Sequence, residues 1–329
     1  MIGYAYVGRI VEIEPVPDAD RIEQATVVCG HGGLWKGVVK KGEYAKGDEC
    51  EVYLQDAKLP EVERFAFMAP RYVVHVKKIR GAFSECLIMP RTVDYPVGSD
   101  ITEETGVTKY ERPEDWHIAG EEAGSFPSFI PKTDEPNFQK VKSILDAIAF
   151  QPWYVSLKYD GSSGTAYVDY DGAVRGCSRN RELREKEGTL VWELIKKYGL
   201  KEKLPELCIL LNKRVAIQFE MVGPKVQKNP LGLLSPEIRV FNLYSITDGE
   251  YMSLSQLEQA CFFLGVPMVD ILDEGDAFDM TADEIRWYAD KSVYPDGKAA
   301  EGVVFRTKFP AKSRLGERVS FKSLSHNYN

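Results

Sequence analysis

The chain has 329 residues, 44% of them hydrophobic and 28% charged, with a formal net charge of -8 at pH 7. That length exceeds what one hydrophobic core usually holds, so two globular domains are expected, and the composition is neither fibrous nor disordered. No apolar run approaches the ~20 residues that a spanning helix needs, and the net acidity excludes a protein that coats nucleic acid through bulk charge.

The first six residues lack a basic stretch followed by an apolar block, so no leader and a cytoplasmic location are expected. Cys29, Cys50, Cys86, Cys177, Cys208 and Cys261 are dispersed without a CxxC pair. Neither a zinc site nor a disulfide framework is indicated. Alternating, β-rich segments at 4–14, 34–39, 50–54 and 72–79, separated by Pro, Gly and Asp turns, predict a small β-barrel. A hinge follows, punctuated by Gly98, Pro113, Gly120, Gly124, Pro127 and Pro131, and the domain boundary is expected near residue 112.

Past the boundary, Val141, Ile144, Leu145 and Ile148 recur at helical spacing. Strands are expected at 153–158, 164–169, 173–178, 215–222, 237–246 and 302–306, and helices at 188–198, 253–264 and 281–290. Residues 113–329 thus read as a mixed α+β domain. Charge is uneven within it: 302–322 carries Arg306, Lys308, Lys312, Arg314, Arg318 and Lys322 against Glu317 alone, whereas 269–284 is acidic throughout. The basic run is a candidate polyanion site or a solvated face.

The chemistry starts at Lys158, in Ser156-Leu157-Lys158-Tyr159-Asp160-Gly161, at the end of an apolar strand and before a Gly/Ser turn. A lysine is a nucleophile only when neutral, and desolvation or a nearby cation favours that form. Asp160, two residues on, points to the same face of an extended strand and is placed to hold a hydrated metal. Downstream come Cys177-Ser178-Arg179-Asn180, Ile217-Gln218-Phe219-Glu220, Glu301-Gly302-Val303-Val304-Phe305 and Val319-Ser320-Phe321-Lys322.

In this order the pieces resemble motifs I, Ia, III, IV and V of the covalent nucleotidyltransferases: DNA ligases, RNA ligases and mRNA capping enzymes. The stretches from Phe126 to Pro136 and from Gly223 to Gly232 are similar to the RNA-ligase branch, to members whose catalytic domain follows an N-terminal OB-fold. The front segments Asp18 to Ile22, Lys77 to Gly81 and Ser84 to Pro90 are similar to tRNA-binding OB modules. The fold the resemblance implies is α+β: an OB-fold barrel over 1–112, then an ATP-grasp-like ligase domain of antiparallel sheets flanked by helices over 113–329.

The resemblance implies ATP as cofactor with Mg2+ or Mn2+, and RNA ends or a nicked duplex containing RNA as partner, with no membrane and a monomer expected. It makes Lys158 the residue that takes AMP from ATP. Asp160, Glu220 and Glu301 would orient the waters of the metal, with Glu220 reaching the ribose. Arg179 would contact ribose or phosphate, Lys322 the α-phosphate, and Phe241 would stack on adenine. This sequence departs from the pattern twice: Leu157 stands where many RNA ligases have Glu, and Ser320 where motif V has its first lysine. One phosphate contact is then missing, or Lys308, Lys312 or Lys225 supplies it. A DNA ligase, a capping enzyme or a non-catalytic RNA- or tRNA-binding protein is the competing reading. The first two carry another OB-fold after motif V, whereas only seven residues follow Lys322 here.

Overall fold

The computed structural model describes residues 3–30, 32–111 and 120–328. Two compact units divide the chain, Met1–Pro113 with Phe138–Lys142, and Glu114–Asn137 with Ser143–Asn329. The boundary expected near residue 112 falls in 112–119, outside the described residues.

In the first unit β1 (Ala5–Pro15), β2 (Ile22–Cys29), β3 (Gly33–Lys40) and β4 (Glu49–Leu54) are followed by β5 (Ala57–Lys58) and a short 3-10 turn at Glu63–Met68. Then come β6 (Lys77–Ile79), β7 (Ala82–Ser84), β8 (Cys86–Pro90) and β9 (Thr108–Lys109). The main sheet is antiparallel in the order β3-β2-β1-β4-β8. It closes where Glu85, entering β8, donates its N–H to the Lys36 carbonyl at 2.7 Å and accepts the Lys36 N–H on its carboxylate at 3.0 Å. Closure removes the exposed edges that an open sheet would leave. Alternate residues Ile10, Val27, Trp35, Val39, Val52 and Ile88 fill the interior.

Two differences from the expected elements stand out. β2 was not expected, because Glu23, Gln24 and Thr26 break its apolar alternation; pairing with both β1 and β3 holds it in place. Of the strand expected at 72–79 only β6 is regular, since Tyr72 has a left-handed φ of 51°. There the backbone is satisfied irregularly instead, with Val74 N–H donating to the Ala57 carbonyl at 2.9 Å.

The second unit runs β10 (Glu122–Ser125), α1 (Lys142–Ile148), β11 (Trp153–Lys158), β12 (Ser162–Val168), β13 (Val174–Cys177), β14 (Arg181–Leu183), α2 (Leu190–Lys197) and α3 (Leu200–Leu211). It continues with β15 (Val215–Val222), β16 (Glu237–Ser245), β17 (Glu250–Tyr251), α4 (Leu254–Leu264), β18 (Ile271–Gly275), α5 (Ala282–Lys291), β19 (Gly302–Thr307) and β20 (Ser320–Leu324). These make a seven-stranded sheet, β10-β14-β13-β12-β15-β16-β17, and a four-stranded one, β18-β11-β19-β20.

Helices α2, α3 and α4 cover one face of the larger sheet, burying Val191, Ile195, Leu204, Leu257 and Leu264 against Ile217, Phe219 and Val240. Helices α4 and α5 begin where the sequence signals them, at capping boxes Ser253/Gln256 and Thr281/Glu284. Helix α3 was not expected because Gly199 and Pro205 read as breakers; burial of Leu200, Leu204 and Leu207 outweighs that local penalty. The acidic run that carried no strand signal forms β18, which pairs with β11 and sets Glu274 3.3 Å from Lys308. Part of the basic run is thereby neutralised.

Among the described residues no helix is long and apolar enough to cross a membrane. All six cysteines are free, and burial pushes the thiols of Cys29, Cys50 and Cys261 up to about 12, which leaves them inert as nucleophiles.

Candidate active site

Cross-strand register decides which side chains share a face with Lys158. β11 pairs with β19 so that Lys158 faces Gly302, Ser156 faces Val304 and Tyr154 faces Arg306. β19 pairs with β20 so that Val304 faces Lys322 and Arg306 faces Ser320. Side chains alternate along a strand, so Lys158, Arg306, Ser320 and Lys322 share one face. The intervening residues Val155, Leu157, Phe305 and Phe321 are buried on the other. A one-residue slip would send the lysine into the core.

Across from this face lies the side of the seven-stranded sheet opposite its helices, with Glu220, Gln218 and Asn242. Arg318 links the two by donating to the Asn242 side-chain oxygen at 2.9 Å, and Asn242 in turn donates to Gln218 at 2.9 Å. Phe241 is the extra residue of a bulge in β16, because Gln218 pairs with Asn242 and Phe219 with Val240. A bulge re-aims a side chain, and here the ring points toward the cleft, with the Arg306 guanidinium 5.9 Å from its centroid. The ring is half-buried against the Leu157 and Tyr159 cluster.

Lys158 Nζ donates to Glu301 Oε2 at 2.6 Å. Two glycines make this convergence possible. A Cβ at Gly161 would lie 2.3 Å from the Met221 carbonyl oxygen and 2.7 Å from Glu220 Cγ. At Gly302, whose φ is 149°, it would lie 2.2 Å from the Ser323 carbonyl oxygen. Only glycine lets these backbones approach, which is a physical reason for both the K-x-D-G and the E-G pattern.

Burial alone would favour the neutral amine, as the sequence suggested. Here Glu301, then Glu220 and Asp160, outweigh it and push the Lys158 pKa well above the usual lysine value. Lys158 is therefore an ammonium in this structure. Glu220 is pushed up to about 8, first by burial and then by Glu301 and Asp160, against the pull of Lys158 and the Gly161 N–H. Three carboxyl groups thus crowd one cation, and the repulsion that holds Glu220 toward its neutral form is what a divalent ion would relieve. Among the described residues no three His, Cys, Asp or Glu side chains could hold a metal directly. All three donors are hard oxygens, and the set fits a hydrated Mg2+ or Mn2+ reached through water.

The other expected residues have definite partners. Arg179, just past β13, pairs with Asp134 at 2.7 Å, both partly exposed. Lys322 donates its backbone N–H to the Pro136 carbonyl at 2.8 Å. Of the three lysines proposed to replace the missing cation, Lys308 pairs with Glu274, Lys312 lies 3.7 Å from Glu250, and Lys225 is exposed in the turn after β15. Ser320 instead has Arg306 as its cross-strand neighbour. Both reach Glu135, Ser320 Oγ at 2.6 Å and Arg306 at 2.8 Å, with Arg318 at 3.7 Å. Burial would raise the Glu135 pKa, but the two guanidiniums hold it below the usual glutamate range. Arg306 and Arg318 were read in the sequence only as part of a basic run, and Glu135 only within the stretch similar to RNA ligases.

Tyrosines 294 and 328 were not singled out. The Tyr294 hydroxyl accepts the backbone N–H of Asp160 at 3.0 Å and of Glu301 at 3.3 Å, fixing the origins of two carboxylates. Tyr328 donates to Asp160 Oδ2 at 2.7 Å. These partners are 134, 7 and 168 residues apart, so no spacing pattern could reveal them together.

Comparison with known proteins adds the decisive observation: a model of the RNA ligase family matches residues 151–324, more than half of the chain. The chain belongs to the RNA ligase family. A model described as an OB-fold domain matches residues 4–91, the barrel of this RNA ligase. No curated protein sequence matches it. Among solved structures, the ligase is similar to Naegleria gruberi RNA ligase, in a lysine-to-alanine mutant with ATP and Mn. The TM-score is 0.82 at 28% identity, covering 98% of this chain and 97% of that one. The same Naegleria gruberi enzyme with PPi gives a TM-score of 0.80 at 29% identity, covering 99% and 97%. A glutamate-to-alanine mutant of it with AMP and Mn gives 0.80 at 27%, covering 98% and 97%.

Proposed function

We propose that this RNA ligase consumes ATP to join a 3'-hydroxyl to a 5'-phosphate, with Lys158 as the residue that carries AMP. The observation that carries the assignment is the position of Lys158 at the mouth of the cleft, hydrogen-bonded to Glu301 and ringed by Glu220 and Asp160, within a chain of the RNA ligase family. Support for ATP and a divalent cation comes from the similar Naegleria gruberi structures with ATP, AMP and Mn.

Lys158 must lose its proton before Nζ can attack the α-phosphorus, and Glu301 Oε2 is the acceptor already in contact with it. A divalent cation held through water by Asp160, Glu220 and Glu301 would remove the electrostatic support of that proton and offset charge on the phosphates. The new N–P bond replaces the bond to the β-phosphate oxygen, and pyrophosphate leaves. AMP then passes to the 5'-phosphate, and the 3'-hydroxyl displaces it. Lys322, on the face of Lys158, is assigned to the α-phosphate, Phe241 to the adenine face and Arg179 to ribose or phosphate.

The barrel is assigned to the polynucleotide. The test is sealing of nicked duplexes whose 3'-hydroxyl and 5'-phosphate strands are RNA or DNA in all four combinations, with ATP and Mn2+ or Mg2+. Sealing that needs an RNA 3'-hydroxyl strand is expected. Joining of DNA alone, or of RNA without ATP, would overturn the reading.

A further inference from the structure

Past β20 the chain turns back over the cleft rather than leaving it. Ser325 N–H donates to the Glu301 carbonyl at 2.9 Å, and the Asn327 N–H donates to Ser325 Oγ at 3.1 Å. Helix α5 pins the same segment from the other side. Asp290 Oδ1 accepts the His326 N–H at 2.7 Å, Asp290 Oδ2 lies 3.1 Å from His326 Nδ1, and the Asp290 carbonyl accepts from Asn327 Nδ2 at 2.8 Å. The result is that Tyr328 stands with its ring edge-on to Tyr294, centroids 6.3 Å apart, and its hydroxyl on Asp160 Oδ2.

We infer that Tyr328 is a positioning residue for the Asp160 carboxylate and that residues 325–328 form the strap that holds it there. The inference rests on the assignment of Asp160 to the cation-binding group. Tyr294 fixes the Asp160 main chain, a contact that does not itself set the side-chain torsions of the carboxylate, which are broad for an aspartate terminus. A hydrogen bond to one oxygen, from a ring itself packed on Tyr294, fixes that orientation before any cation arrives. Glu301 is tied to the same strap through its main-chain carbonyl, so one segment holds the Asp160 carboxylate and the Glu301 backbone. Outer hydrogen bonds of this kind typically contribute 10–100-fold in metal affinity.

The experiment measures Mn2+ binding to the full chain without nucleotide, from the electron paramagnetic resonance signal of free Mn2+. It compares the parent with Tyr328→Phe, Asp160→Ala and the double variant. Phenylalanine keeps the edge contact with Tyr294, so an unchanged melting temperature is expected. Tyr328→Phe should weaken Mn2+ binding about tenfold while Asp160 is present and have no further effect in the Asp160→Ala background. Asp290→Ala, which loosens the strap without touching the ring, should shift binding in the same direction. In AMP transfer, Tyr328→Phe should raise the Mn2+ concentration needed while sparing the rate at saturating Mn2+. Parental Mn2+ binding by Tyr328→Phe, with Asp160→Ala impaired, would overturn the positioning role and leave the cation site standing. An equal loss on both backgrounds would show the ring acting through packing alone and would also overturn it. Parental binding by Asp160→Ala would remove the cation site and the strap's role together.

Discussion

Lys158 enters this structure charged, and the groups that hold its proton are those assigned to the cation. Each of Asp160→Ala, Glu220→Ala and Glu301→Ala should therefore lower AMP transfer about 100-fold or more, with a changed dependence on Mg2+ and Mn2+ concentration. Rates at saturating ATP over a metal titration check this, and three variants that use metal like the parent would remove the role. These residues were legible because each lies in or just beyond an apolar strand, where the pattern marks both the face and the position. The tyrosines were not, since a hydroxyl that reaches across the fold leaves no local periodicity. The charge balance at Lys158 was only partly legible: burial and Asp160 could be read from its own strand, but Glu220 and Glu301 come from distant segments.

At the level of elements, two buried carboxylates hold loops onto sheets. In β4, Glu51 is fully buried and accepts from Tyr53 at 2.6 Å, Thr92 N–H at 2.6 Å and Arg64 at 2.7 Å. Burial pushes its pKa up, but these donors outweigh it and hold it below the usual glutamate range. A folded-state value below the unfolded one stabilises the protein above the ordinary carboxylate range, and that contribution is lost as pH falls below roughly 4. Glu51→Gln should thus lower the melting temperature at pH 7 and flatten the acid limb of a stability-versus-pH curve. An acid limb equal to the parent's would contradict this. In the second unit, Glu135→Gln would leave Arg306 and Arg318 buried without their carboxylate, at a cost of about 3–5 kcal/mol. Denaturant unfolding measures it, and a loss under about 1 kcal/mol would mean the guanidiniums find other partners. Most of the barrel strands and helices α4 and α5 were readable from apolar periodicity. β2, α3 and β18 were not, because their sequences argue locally against what the sheet and the core impose.

For the whole molecule, the net charge of -8 makes any grip on a polynucleotide local. The β6–β7 hairpin presents exposed Lys77, Lys78 and Arg80, with Lys78 Nζ 5.1 Å from the centre of the Phe83 ring. We assign this hairpin to the phosphate backbone. Replacing all three cations by alanine should weaken sealing severalfold and lessen its salt dependence while leaving AMP transfer from ATP intact. Sealing that matches the parent at every ionic strength would contradict the assignment. The central claim is the covalent intermediate on Lys158, and one measurement reaches it directly: incubate the chain with α-labelled ATP and Mn2+, then locate the label by peptide mass spectrometry. The expected result is a single AMP on Lys158, released by acid but not by alkali, and absent from Lys158→Ala. AMP on any other residue, or a label that persists in Lys158→Ala, would contradict the account.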